Sequence, residues 1–174
     1  MVAGHAVDGV DLMRRSAMVF GLVGASAAIV GRGHEAMAQQ SGGAGRQDPR
    51  QAVEAFITKY LDVYNKKDAA GVAALYTEDG LLVPPGPITT GRANIEKAWR
   101  AVFDGGRTGL RYDIHEVHPE GDIVWSVGQF TVMVPDASGK LQERQGNFAN
   151  IYQWDGDGLK FRVHAFSFLP PPPR

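Results

Sequence analysis

Apolar residues recur with helical spacing in the segment that begins at Pro49. Six of them occupy one face of the expected helix, at positions i, i+3, i+4, i+7, i+8 and i+11. Asp48 supplies an N-cap acceptor, Pro49 suits the first helical position, and Gln51 is placed for a capping box. The pattern predicts a helix from Pro49 onwards with this apolar face: Val53, Phe56, Ile57, Tyr60, Leu61 and Tyr64.

Two further helical patterns follow, on either side of a short apolar run. We expect Asp68 to cap a short helix and Thr90 to cap a third. Residues 81–83 between them predict a strand that Pro84-Pro85-Gly86-Pro87 stops, because proline cannot continue a ladder. The predicted apolar stripes are Val72, Leu75 and Tyr76 in the short helix and Ile95, Ala98, Trp99 and Val102 in the third.

The apolar period changes to two after Gly106, which predicts strands. Three turn-like segments separate four long runs, so we expect hairpins. Helices followed by meandering strands indicate an α+β fold with an antiparallel sheet. Gly128 and Gly146 interrupt long strands and predict bulges or bends that curl the sheet around a pocket. The strands are expected near 109–118, 123–134, 141–154 and 159–169.

The first 38 residues have the layout of an export signal. Arg14-Arg15 precede a mildly apolar run over residues 17–30, and Ala36-Met37-Ala38 offers a cleavage site. The run is shorter than the roughly 20 apolar residues that span a membrane. The paired arginines favour a twin-arginine signal, and Met13 is a second possible start. The alternative is a disordered cytosolic extension.

The predicted organisation is a signal peptide over residues 1–38, a Gly/Ser-rich linker over 39–48, a domain over 49–169 and a proline-rich tail over 170–174. Cleavage after Ala38 would leave 174 − 38 = 136 residues, enough for one core. We therefore expect a periplasmic or secreted protein whose mature form does not associate with a membrane.

Composition narrows the chemistry further. A net charge of −1 gives no electrostatic footprint for nucleic acid. There is no cysteine, so disulfides and thiolate catalysis are excluded. His115 and His118 are three apart on a predicted strand, which sends them to opposite faces, so we expect no metal site. No phosphate loop or dinucleotide fingerprint is present, and we expect no organic cofactor.

Four short motifs in the first half of the predicted domain are Tyr60-x-x-x-Tyr64-Asn65-x-x-Asp68, Leu75-Tyr76-x-Glu78-Asp79-Gly80, Pro84-Pro85-Gly86 and Gly91-Arg92-x-x-Ile95. In this order they resemble the nuclear-transport-factor-2-like (NTF2-like) superfamily, and within it the SnoaL-like and ketosteroid-isomerase-like domains labelled DUF4440. The resemblance covers about residues 49–169. It implies a cone-shaped fold in which three N-terminal helices pack on a curved antiparallel sheet and enclose a pocket. A fold of this kind hosts many functions.

The resemblance also suggests two hydrogen-bond donors. Tyr60 falls where the isomerase-like enzymes place a tyrosine that donates to the substrate oxygen. Asn150 falls where they place a protonated aspartic acid as the second donor. Their general base has no counterpart, because Leu82-Val83-Pro84 occupies its strand. Steroid-type isomerisation is therefore not expected.

The last predicted strand contributes His164. Members of this subgroup often carry an acidic residue two positions before an aromatic one, and here His164 precedes Phe166 in that way. A histidine facing the pocket would titrate near neutral pH and serve as acid or base. The alternative is a structural histidine that is hydrogen-bonded at the sheet surface.

A set of aromatic residues is expected to line the pocket. Phe148, Asn150, Tyr152 and Trp154 share one face of their strand and combine apolar walls with one amide. The alternative for each aromatic residue is a place in the core. The candidate lining residues are Tyr64, Trp99, Trp125, Phe148, Tyr152 and Phe166.

Together these features predict an exported domain that binds a small, largely apolar molecule bearing a carbonyl or hydroxyl group. If the domain is an enzyme, we expect cofactor-free isomerase, cyclase or dehydratase (lyase) chemistry with Tyr60, Asn150 and His164 as the catalytic residues. The alternative is a non-catalytic module for oligomerisation or ligand sensing. The resemblance implies a homodimer in either case.

Overall fold

The computed structural model describes residues 47–170. The predicted signal, most of the linker and the tail beyond Pro170 lie outside these residues. The helices are α1 (Pro49–Asn65), α2 (Ala69–Ala74) and α3 (Arg92–Asp104). The strands are β1 (Tyr76–Val83), β2 (Thr89–Thr90), β3 (Thr108–Glu120), β4 (Ile123–Pro135), β5 (Leu141–Asp155) and β6 (Gly158–Phe168). None of the described helices is long and apolar enough to span a membrane.

The six strands form one mixed sheet in the order β2-β1-β6-β5-β4-β3. Strands β3 to β6 pair antiparallel, as their hairpin turns predict. The expectation of a wholly antiparallel sheet is wrong at one place, because β1 pairs parallel with β6. These two strands are far apart in the sequence and no turn joins them, so no local signal sets their relative direction.

Helix α1 begins as predicted. The carboxylate of Asp48 accepts a hydrogen bond from the backbone N–H of Gln51 at 3.0 Å, and proline occupies the first turn. Asp68 caps α2 in the same way, through the N–H of Gly71 at 2.8 Å. Five of the six predicted apolar residues of α1 are buried, and Leu61 packs at the edge of the core.

Two boundaries differ from the prediction. Tyr76 belongs to β1 rather than to the short helix, because α2 ends at Ala74 and the backbone of Tyr76 pairs with Phe161. The guanidinium of Arg92 holds the Tyr76 carbonyl oxygen at 2.7 Å and 3.2 Å. Thr90 does not cap α3: it lies in β2, and Gly91 takes the cap position with a φ of +83° and no side-chain hydrogen bond.

A bulge in β6 determines which residues face the helices. Ile151 of β5 pairs with Val163 and the next residue, Tyr152, pairs with Phe161, so Arg162 is the extra residue. Because of it, Phe161 and His164 lie on the same face although an odd number of positions separates them. Both side chains are fully buried.

The two strand glycines do not both mark bulges. Gly128 pairs with Ile114 next to a bulge in β3, where a side chain would meet the carbonyl oxygen of Asp113 and come within 2.8 Å of the Phe148 ring. Gly146 lies in an unbroken register, where a side chain would meet the ring of Phe130. Glycine is needed at both because neighbouring groups occupy the space of a Cβ.

Candidate ligand-binding site

Helices α1 and α3 pack across the sheet and leave a small cavity. Its volume is about 20 Å³, and a cavity of roughly 10–15 Å³ suffices for one water molecule. The cone is therefore almost filled by its own side chains. The lining residues are Tyr60, Tyr64, Trp99, Arg107, Leu110, Tyr112, Phe130, Val132, His164, Phe166 and Phe168.

Three buried side chains, Tyr76, Trp99 and His164, form a hydrogen-bond network with the half-buried Tyr112, centred on His164. The Nδ1 of His164 lies 2.5 Å from the hydroxyl of Tyr76, and its Nε2 lies 3.0 Å from the hydroxyl of Tyr112. The indole N–H of Trp99 donates to the Tyr76 oxygen at 3.3 Å. The hydroxyl of Tyr60 is a neighbour of the Tyr112 hydroxyl, and each affects the pKa of the other. We call these five residues the buried network.

The buried network has more polar hydrogens than hydrogen-bond acceptors. Trp99, the three tyrosines and a neutral imidazole supply five polar hydrogens. The network contains three hydrogen bonds, and a contact between the Tyr60 and Tyr112 hydroxyls uses at most one hydrogen more. At least one hydroxyl proton therefore has no acceptor inside the network.

The tautomer of His164 determines where the surplus proton lies. If Nδ1 carried the proton, the Tyr76 oxygen would accept from both Trp99 and His164, and its own buried proton would be unpaired. An unpaired buried donor costs about 1–3 kcal/mol. In the Nε2–H tautomer, Tyr76 donates to Nδ1, and the surplus proton belongs to Tyr60 or Tyr112. Both of these tyrosines line the cavity.

The buried network stays neutral over the physiological pH range. Burial lowers the pKa of His164 to about 3. The expectation that His164 titrates near neutral pH is therefore wrong, because imidazolium would lose its hydration in this position. Burial also raises the pKa of Tyr60 and of Tyr112 well above the usual value. The site thus presents neutral hydroxyl donors.

Aromatic rings fix the position of the imidazole. Phe161 stacks on His164 with a centroid separation of 4.4 Å and an interplanar angle of 9°. Trp99 stacks at 5.9 Å and 22°, and Tyr60 meets the imidazole edge-on at 5.4 Å. Such contacts hold a polar group in one orientation within an apolar wall.

Asn150 lies apart from the cavity. Its amide N–H donates to the Tyr152 hydroxyl at 3.1 Å, and that hydroxyl lies 3.0 Å from Ser126. The amide oxygen of Asn150 is buried without a hydrogen-bond partner among the described residues. The geometry therefore does not support the expected pairing of Tyr60 and Asn150 across the pocket, because Asn150 does not line the cavity and its amide donates to Tyr152 instead.

The other predicted lining residues divide into two groups. Tyr64, Trp99 and Phe166 line the cavity, as do Tyr60 and His164. Phe148 and Tyr152 are buried in the core outside the cavity lining. Trp125 lies on the outer face of the sheet, where it stacks on His118 at 4.2 Å, because its neighbours Val124 and Ser126 take the inward positions.

Two members of the buried network, Tyr112 and Tyr76, are not among the candidate site residues that the sequence predicts. Tyr112 alternates with Leu110 and Ile114 on one face of β3, and this period of two is a signal that identifies it. Tyr76 is not recognisable as a site residue from the sequence, because the helical pattern of α2 continues through it. Among residues 47–170 no cluster of three or more histidine or acidic side chains is placed to hold a metal ion.

Comparison with known proteins identifies the family of the domain. The model of the SnoaL-like domain family matches residues 57–166, so the chain belongs to that family. No curated protein matches the sequence.

Three solved structures illustrate the fold. A ketosteroid isomerase-like protein from Erwinia carotovora atroseptica is 23% identical with a TM-score of 0.62, covering 70% of this chain and 96% of its own. An NTF2-like protein with a cystatin-like fold from Novosphingobium aromaticivorans is 20% identical with a TM-score of 0.55, covering 70% and 82%. A protein from Xanthomonas campestris, named for a calcium/calmodulin-dependent protein kinase II association domain, is 19% identical with a TM-score of 0.60, covering 71% and 90%. At these identities the likeness establishes the NTF2-like fold alone.

Proposed function

We propose that this SnoaL-like domain binds a small, largely apolar molecule with a carbonyl or hydroxyl oxygen, and that this oxygen accepts the surplus proton of Tyr60 or Tyr112. The observation that carries the proposal is that five polar hydrogens share at most four hydrogen bonds within the network, beside an aromatic cavity. An apolar pocket with a few convergent polar groups is typical of small-molecule sites.

A ligand must enlarge the cavity to enter. Ligand pockets typically measure about 300–1,000 Å³, far more than the 20 Å³ present here. Phe166, Phe168 and Arg107 are only half-buried, whereas Tyr60, Trp99 and His164 are buried. We therefore infer that Phe166, Phe168 and Arg107 move to open the cavity, and that the buried network recognises the ligand oxygen.

The chemistry that such a site favours is stabilisation of an enolate-like oxygen by neutral donors. That step belongs to cofactor-free isomerisation, cyclisation or dehydration. The described cavity-lining residues include no carboxylate, so His164 would be the proton acceptor in this scheme, and its pKa of about 3 makes it a weak base. Binding is the part of the proposal with the stronger support, since both imidazole nitrogens already have tyrosine partners.

Native mass spectrometry of the protein purified from its own host tests the proposal by revealing a co-purified molecule. Tyr60→Phe and Tyr112→Phe should each weaken its binding at least tenfold. Tyr152→Phe is the matched control, because its hydroxyl is buried outside the cavity. Equal affinities for all three variants would remove the oxygen-recognition role. With a true substrate in hand, unchanged turnover in Tyr60→Phe and His164→Ala would remove the catalytic role.

We further propose that the protein is exported and processed near Ala38, on the basis of Arg14-Arg15 and the small-residue cleavage site. Fractionation of host cells with N-terminal sequencing of the mature protein tests this. Replacing both arginines with lysine should keep the protein in the cytoplasm if the twin-arginine route is used.

The second candidate function is assembly with another copy of the chain. On the outer face of the sheet Trp125, Ile151 and Val163 are aligned across three strands, and the nearly filled cone equally suits a non-catalytic module. The Xanthomonas protein named for an association domain has the same fold. A homodimer should appear by sizing chromatography with light scattering and should dissociate in Ile151→Glu, with Tyr60→Phe as the control.

A further inference from the structure

Two arginines lie at the outer end of the cavity, where three elements converge. Arg107 precedes β3, Arg144 lies on β5 and Phe168 ends β6. Both guanidinium carbons lie 5.4 Å from the centroid of the Phe168 ring. Arg107 and Phe168 also line the cavity itself. We call these three residues the mouth.

The positive charges at the mouth are not neutralised by the described part of the protein. Within residues 47–170, neither Arg107 nor Arg144 forms an ion pair with a carboxylate, whereas four other arginines do. The charge of Arg107 reaches the cavity, since it partly offsets the increase that burial produces in the pKa of Tyr64. The paired arginines are Arg50, Arg92, Arg100 and Arg162.

A guanidinium over an aromatic ring is attracted by the ring face and keeps N–H donors for other partners. These donors match a carboxylate, which can accept two parallel hydrogen bonds from one guanidinium. The aromatic walls behind the mouth suit an apolar body, and the surplus hydroxyl proton suits an oxygen at the opposite end. The three features select a single kind of ligand.

We propose that the mouth binds the carboxylate of an apolar hydroxy- or keto-acid, whose ring or chain enters the cone and whose second oxygen meets Tyr60 or Tyr112. This inference rests on the proposed ligand-binding function and adds the charge of the ligand to it. The geometry that carries it is the pair of arginines on Phe168 at the cavity entrance.

The test compares 6-hydroxy-2-naphthoate with 6-hydroxy-2-naphthamide by calorimetry at low salt. The two probes share their body and hydroxyl group and differ in charge. We expect the acid to bind at least tenfold more tightly. Arg107→Gln combined with Arg144→Gln should remove this preference, so that the acid and the amide bind the double variant with equal affinity. Arg111→Gln is the matched control, because Arg111 is exposed on β3 and does not line the cavity.

The salt dependence of the unaltered protein gives a second readout that needs no variant. Raising the salt from about 20 to about 200 mM should weaken the acid more than the amide, since exposed charges are screened over this range. Equal affinities for acid and amide would overturn the charge inference and leave the cavity proposal intact. Binding of neither probe would count against the cavity proposal itself, and the charge inference would fail with it.

Discussion

Acidification should test the burial of His164 directly. An unfolded histidine takes up a proton with a pKa near 6.5, whereas burial holds the native pKa at about 3. Between these values the unfolded state binds more protons than the native state. The stability that this group confers is therefore complete above pH 6.5 and is lost progressively as the pH falls towards 3.

The magnitude follows from these two pKa values. Linkage gives a loss of about 2 kcal/mol between pH 7 and pH 5, and a further loss of about 1 kcal/mol between pH 5 and pH 4. Within residues 47–170 no carboxylate faces the imidazole, so we assign the loss of stability between pH 7 and pH 4 to His164. The groups that face it are Tyr60, Tyr76, Trp99, Tyr112, Asn150, Phe161 and Phe166.

Urea denaturation at pH 7, 6, 5 and 4 measures the effect as a difference between the wild-type protein and His164→Gln. Other groups titrate in both proteins, so only the excess pH dependence of the wild type counts. His118→Gln is the control, because His118 is half-exposed. If the wild type and His164→Gln lose the same stability between pH 7 and pH 5, the imidazole is not buried as a neutral group. If His164→Gln does not fold, the nitrogen-15 spectrum described in the next paragraph tests whether the imidazole is neutral.

Three further predictions concern single positions. Nitrogen-15 spectra of the imidazoles should show His164 neutral and protonated on Nε2 at pH 5, and a charged or Nδ1–H ring would contradict the proton count. Gly128→Ala should cost about 2 kcal/mol or more by chemical denaturation, because its Cβ would overlap neighbouring atoms; Gly158→Ala, whose nearest neighbour is 3.8 Å away, should cost less than about 0.5. Asn150→Leu should change the unfolding free energy by less than about 1.5 kcal/mol, since it removes an unpaired acceptor together with one hydrogen bond. A larger loss would show that the amide oxygen has a partner.

Local signals were sufficient for much of this fold. The four long strands end within two residues of the predicted positions, because each run has a period of two and tight turns separate consecutive runs. The start of α1 was equally clear, since Asp48, Pro49 and the apolar face all point to the same boundary. These features depend on residues that are close in the sequence.

Tertiary effects explain what the sequence did not reveal. The β6 bulge at Arg162 places His164 beside Phe161, and the sequence contains no glycine or turn residue that indicates this bulge. Tyr76 enters the network because Arg92, which is distant in the sequence, holds its carbonyl oxygen. Trp125 is expected in the pocket because it is aromatic. The alternation of β4, however, places its side chain on the outer face of the sheet.

The hydrogen bond from the buried network and the contact with the aromatic walls contribute differently to ligand affinity. The 20 Å³ cavity has room for one water molecule, which would accept the surplus proton in the free protein. A ligand oxygen at the same place therefore gains almost no net hydrogen-bond energy. The hydrogen bond selects the orientation of the ligand, and affinity must come from the apolar body against the aromatic walls, at about 25 cal/mol per Å² buried. A probe that keeps the rings and loses the oxygen should bind about tenfold more weakly, because it leaves the hydroxyl proton unpaired, and a probe that loses one ring should lose affinity in proportion to the apolar area that it no longer buries.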